Sequence, residues 1–240
     1  MSQELTVWVT PFTSLRSLDD ALAKIDKMVR PAWHANLLIP LHYGKWPQAE
    51  CIQSIPADML VKEPDDVALV RQQVEHNGFG FGGWGVPHNG ESAELAGQFA
   101  EACGYYSANF EPDVFWTLGD DPAAIDDWWS RFWNAMQDQE AMAGNVSATV
   151  VPNGWGLGAF SRSLPNLAAG CGALALEVYG GLQTKSEYPA PNLWPTDGFQ
   201  RIRATGVDAN LIPIIADANL AGQYNLANRL GHGNVHVWAI

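Results

Sequence analysis

Ala173-Leu174-Ala175-Leu176-Glu177-Val178-Tyr179 alternates without a break. Successive side chains of a strand point to opposite faces, so Leu174, Leu176 and Val178 share one side and Ala173, Ala175, Glu177 and Tyr179 the other. A strand in an open doubly wound sheet meets helices on both faces and reads as branched throughout. Branched residues on one face only, with small or polar ones opposite, fit a parallel strand in a closed barrel: the branched face meets the surrounding helices and the other lines the inside. Glu177 is thereby expected inside the barrel, where an unpaired charge is costly and an Arg or Tyr partner would serve structure alone.

The same unit recurs on either side. Residues 4–10 read as a first strand closed by Pro11, and Leu18 to Ile25 show apolar positions at helical spacing. Residues 34–41 form a second strand, followed by a loop carrying Tyr43, Trp46 and Cys51 and a helix opened by Pro64-Asp65-Asp66 that runs to about His76. Residues 79–86 are a glycine-rich third strand, and Asn89-Gly90-Glu91-Ser92 leads into a small-residue helix ending at Gly104. After a fourth strand at 105–110, Asp120-Asp121-Pro122 opens a helix whose Trp128, Trp129, Phe132 and Trp133 are spaced to pack against a barrel. Strands at 145–151, 173–179, 211–216 and 235–240 alternate with helices at 161–171, 195–206 and 220–230. Eight such strands predict an α/β fold, a (β/α)8 TIM barrel with the final helix lacking or shortened, as one domain over residues 1–240. No GxGxxG turn follows the first strand, so the dinucleotide-binding alternative lacks its usual mark.

Composition narrows the function. The 240 residues carry 13 basic and 26 acidic side chains, a net charge of -13 that disfavours a nucleic-acid partner. No apolar run reaches the roughly 18 residues of a membrane span, and a soluble chain is expected. Met1-Ser2-Gln3-Glu4 lacks a basic segment leading into an apolar core, so no secretory signal is read there, and an extracellular role would come by lysis or by incorporation into a particle. Cys51, Cys103 and Cys171 are odd in number and far apart, which predicts buried thiols instead of a disulfide framework or zinc knuckle.

A parallel barrel places its chemistry on the rim formed by the strand C-termini. The rim candidates are His42 and Tyr43 after strand two, Trp84 and His88 at strand three, Asn109, Glu111 and Asp113 after four, and Asn153 after five. Strand six contributes Glu177 and Tyr179, strand seven Asp217 and Asn219, and strand eight Trp238. Glycoside hydrolysis needs two carboxyl groups, roughly 5 Å apart for retention or 6.5–9.5 Å for inversion. Glu111, beside Phe110 and Pro112, suits the general acid, with a strand-end carboxylate bonded to a loop as the structural alternative; Glu177 and Asp217 compete for the partner role. The remaining polar and aromatic rim residues suit substrate contacts, and eleven tryptophans, several near strand ends, offer faces on which sugar rings stack. His42, His88, Glu111 and Asp217 are imaginable metal ligands, but HxH and HExxH spacings are missing, and neither metal nor cofactor is expected. His232 and His236 flank the start of strand eight and are expected at the end opposite the mouth, and no GxSxG elbow is present.

The segment Gly104-Tyr105-Tyr106-Ser107-Ala108-Asn109-Phe110-Glu111 resembles the GADGYVxNxE stretch of glycoside-hydrolase-like TIM barrels encoded among the tail genes of phages infecting actinobacteria. The Ala- and Glu-rich helix before it, Val178-Tyr179-Gly180, the stretch from Arg203 to Ala216 and the terminal Val237-Trp238 are also similar, so the resemblance spans residues 79–240. It implies kinship with lysozyme-like and chitinase-like hydrolases, whose fourth strand supplies a Glu as acid, here Glu111. Asn109 stands where those groups carry an Asp, so a D-x-E pattern is absent, and Glu177 stands where the phage group has Gln. The implied partners are a polysaccharide or peptidoglycan-type glycan and, for a virion-associated protein, other tail proteins. A catalytically inert structural or carbohydrate-binding barrel is the alternative.

Overall fold

The computed structural model describes residues 4–9, 14–28, 34–41, 61–87, 92–110, 122–150, 162–178, 195–216 and 234–238. Its strands are β1 (Glu4–Trp8), β2 (His34–Pro40), β3 (Gly80–Gly85), β4 (Tyr106–Asn109), β5 (Val146–Val150), β6 (Ala173–Glu177), β7 (Leu211–Ala216) and β8 (Asn234–Trp238). Its helices are α1 (Leu15–Met28), α2 (Val67–His76), α3 (Ser92–Cys103), α4 (Pro122–Asn134), α5 (Gln139–Met142), α6 (Leu164–Gly170) and α7 (Pro195–Ala204). Every strand pairs in parallel with the next in sequence and β8 pairs with β1, closing the barrel. The fold is a (β/α)8 barrel.

Sequence explains most boundaries. Pro64, Asp65 and Asp66 form a 3-10 turn that starts α2, the proline lacking only an amide that no helix start could satisfy. Gly104, with φ of 70°, takes the left-handed conformation that ends α3, its amide donating to the Ala100 carbonyl at 2.9 Å before the chain enters β4. α5 is a four-residue helix in the connection between α4 and β5, where the sequence reading placed no element; the Asp138 carboxylate caps it by accepting from the Ala141 amide at 3.0 Å. The helix expected over 220–230 lies outside the described residues.

Two apolar layers result. Leu174, Leu176 and Val178 join Leu5, Leu37, Tyr106, Val146 and the helix faces in the outer core, whereas Ala175 packs inside the barrel with Trp8, Leu38, Trp84, Val86 and Ile214. The alternation of β6 therefore divides as its sequence predicts, with Glu177 also buried. The aromatics of α4 pack as expected too: Phe132 stacks on Trp128 and Trp129 with centroids 5.4 and 5.1 Å apart, and Phe110 meets Trp128 edge-on. The Trp128 indole donates to Ser92 Oγ at 2.8 Å, and Arg131 grips Glu94 through two hydrogen bonds, tying α4 to α3. That guanidinium holds the Glu94 carboxyl below its ordinary range.

Candidate functional site

The strand register fixes the height of each inward residue. Partners followed strand by strand from Trp8 return to β1 eight residues lower, the shear of eight typical of this barrel. Inward residues two strands apart therefore share a level when offset by two from the pairing. Asn109 pairs with Thr149 and Thr149 with Ala175, so Asn109 is level with Glu177; the same step places Pro40 and Trp238 there. This is the uppermost complete level at the C-terminal end. Asn109 is 1% and Glu177 5% exposed, so a carboxamide and a carboxyl group stand inside the mouth on alternate strands.

The level below is Trp8, Trp84, Thr149 and Ile214, and it forms a floor. The two indoles lie 5.4 Å apart between centroids at 45°, and Trp84 Nε1 donates to the Val9 carbonyl at 3.1 Å. Trp84, expected at the rim, is thus a buried floor residue one level beneath Glu177. Beneath it come Leu38, Ser107, Ala175 and His236. Trp8 Nε1 donates to His236 Nδ1 at 3.2 Å, so that nitrogen must carry its lone pair; the proton sits on Nε2, 3.4 Å from the Tyr105 hydroxyl. Burial pushes the imidazole down to about 3, keeping it neutral. The expectation that His236 lies at the far end of the barrel is corrected here. β8 begins at Asn234, so His236 is its third residue and faces inward at mid-height.

Ser147 Oγ donates to Ser107 Oγ at 2.8 Å, and Ser107 Oγ stands 3.3 Å from Thr149 Oγ1. These hydroxyls form a polar seam along β4 and β5 up to the floor. Sequence reasoning gave none of Trp8, Tyr105, Ser107, Thr149 and His236 a place in the barrel interior. Inward parity of each strand was the only available signal.

Of the residues expected to act at the rim, the structure brings Asn109 and Glu177 to one level with Trp84 below. Trp238 takes its backbone place on that level. Glu111, Asp217, His42, Tyr43, His88, Asn153, Tyr179 and Asn219 lie outside the described residues. Among the described residues no three His, Cys, Asp or Glu gather as metal ligands, and no helix is long and apolar enough to cross a membrane.

No protein-family model matches the chain, and no curated protein is significantly similar to it. Solved structures do align. An HpcH/HpaI aldolase/citrate lyase family protein from Burkholderia cenocepacia J2315 superimposes with a TM-score of 0.51 and 13% identity, over 99% of this chain and 88% of its own. Concanavalin B aligns with a TM-score of 0.48 and 10% identity, over 99% of this chain and 92% of its own. The likeness to the aldolase-family protein is one of barrel fold; at that identity it carries no chemistry across.

Proposed function

We propose that this barrel is directed at glycans and works at its C-terminal mouth as a glycoside hydrolase on cell-envelope polysaccharide, with Glu111 as the acid and Glu177 or Asp217 as the second carboxylate. The observation that carries this reading is Glu177, a carboxyl group buried inside the mouth, level with Asn109 and above the Trp8–Trp84 floor. A strand built only for packing would put an apolar residue there, since burying a carboxylate is costly. Asn109 next to it can donate to and accept from a sugar hydroxyl. Glu111 takes the acid role because Phe110 and Pro112 flank it in sequence and because it matches the fourth-strand Glu of the resembled hydrolases.

Asn109 also favours a second reading. It supplies a carboxamide where the resembled hydrolases have a carboxylate, as an inert carbohydrate-binding barrel of a phage tail would. One experiment separates the two. Purified actinobacterial envelope polysaccharide is incubated with the protein and with Glu111→Gln and Glu177→Gln, and new reducing ends are measured alongside binding. Hydrolysis should fall about 10²–10⁴-fold in Glu111→Gln at unchanged fold. Undiminished release would remove Glu111 from the acid role. Binding without release by the unaltered protein would establish the inert reading, and neither binding nor release would overturn both.

A further inference from the structure

Below the level of His236 the barrel interior changes character. The upper half is filled by Trp8, Leu38, Trp84, Ala175 and Ile214. In the lower half, the inward positions Thr6, Gly82, Ser147 and Ala173 carry only short side chains. What remains is a cavity of about 380 Å³ at the N-terminal end, bordered by residues of β1, β2, β3, β5, β6 and β7. That volume falls within the range of about 300–1,000 Å³ typical of small-molecule sites.

Glycines give this cavity its shape. A Cβ on Gly80 would run into the Asn36 carboxamide oxygen, and one on Gly82 would lie 2.7 Å from Leu38 Cδ2 and 3.0 Å from Tyr105 Cδ1. The Asn36 amide and the Tyr105 ring therefore lie across β3, in space that side chains of β3 would otherwise take. Gly172 packs so closely on Gly144 that its Cβ would stand 2.6 Å from the Gly144 carbonyl oxygen, which draws the two loop ends together at the cavity edge.

The lining chemistry selects a ligand class. Thr6, Asn36, Tyr105, Asn145, Ser147 and Asn210 supply hydroxyl and carboxamide groups, and among the described lining residues none is Asp, Glu, Lys, Arg or His. A charged ligand would find no counter-charge among them. Carboxamides and hydroxyls both donate and accept, and so do the vicinal hydroxyls of a polyol. Ser147 is already oriented: its hydrogen goes to Ser107 Oγ at 2.8 Å, which turns its lone pairs toward an incoming hydroxyl. Ile212 adds apolar surface for the C–H face of a ring.

The geometry points to a second ligand site, at the N-terminal mouth, for a neutral polyhydroxyl molecule of monosaccharide size. It is walled off from the C-terminal mouth by the Trp8–Trp84 floor and does not rest on the function proposed there.

Calorimetric titration with glucose and with myo-inositol, using glucuronate as the charged counterpart, tests the site. At least one neutral compound should bind saturably with a Kd on the order of 1 mM, and glucuronate at least about tenfold more weakly. Asn36→Leu and Ser147→Val should each weaken binding about tenfold or more, and Glu177→Gln should leave it unchanged. Asn210→Ala, at the exposed edge of the cavity, removes a lining amide without disturbing the interior and should weaken binding even if the two buried changes compromise folding. No saturable binding of either neutral compound would overturn the proposal. So would equal affinity for glucuronate, or binding lost in Glu177→Gln and kept in the cavity variants.

Discussion

His236 shows how one buried side chain sets a pH response. Its imidazole is held down to about 3 by burial, against an ordinary value of 6.5. Between those values the unfolded chain binds a proton that the folded protein refuses. Its contribution to stability is therefore complete above pH 6.5 and declines by about 1.4 kcal/mol per pH unit as pH falls toward 3. Urea midpoints at pH 7 and pH 5 should show the loss. In His236→Gln the acid dependence should flatten, while stability at pH 7 falls by about 1–3 kcal/mol because the flexible carboxamide does not hold an acceptor at the Nδ1 position under the Trp8 indole as the packed imidazole does. An unaltered slope would assign the acid sensitivity to other groups. Burial likewise pushes the thiols of Cys103 and Cys171 up, to about 12 and about 11. Both should resist iodoacetamide at pH 8 in the folded protein and react once it is unfolded, as peptide mapping would show.

The pairing of α3 with α4 turns on two small residues. Alanine at position 97 would be the better helix former by about 1 kcal/mol. Its Cβ would, however, meet the Phe132 carbonyl oxygen and stand 2.9 Å from Ala135 Cβ. Contact with a backbone carbonyl cannot be relieved by a rotamer change, so Gly97→Ala should destabilise by about 1–3 kcal/mol. Ser92→Ala should cost a similar amount by taking the acceptor from the buried Trp128 indole. Thermal unfolding of the two variants checks both. What the sequence disclosed at this level follows from periodicity. A two-residue repeat in β6 separated Leu174, Leu176 and Val178 from Ala175 and Glu177, and helical spacing in α4 turned Trp128, Trp129 and Phe132 inward. Contacts between distant strands have no such local mark. Trp8 and His236 lie 228 residues apart, so neither residue's neighbours announce the bond between them. The N-terminal cavity was equally hidden, because its lining residues Thr6, Asn36, Ser147 and Ala173 come from four strands far apart in sequence.

Around the whole barrel the two ends divide in character. The C-terminal mouth holds Asn109 and Glu177 over indoles, and the N-terminal mouth is hollow, its described lining uncharged and rich in carboxamides. Barrel architecture alone chooses no chemistry, so each mouth has to be judged by its own side chains. The pairing of β1 with β8 has a further consequence, for the order of events in folding. The strand pairs from β1–β2 to β7–β8 join consecutive strands, whereas the final seam joins strands more than 200 residues apart and closes the longest loop in the molecule. Closure should accordingly come last, after an open curved sheet has formed with β1 and β8 as bare edges. Stopped-flow chevrons of His236→Gln should then show faster unfolding with little change in the folding limb. During that interval each edge can accept a strand from another chain, so refolding yield should fall as protein concentration rises while the closed barrel stays immune. The seam between β1 and β8 is thus also what protects the finished protein from its neighbours.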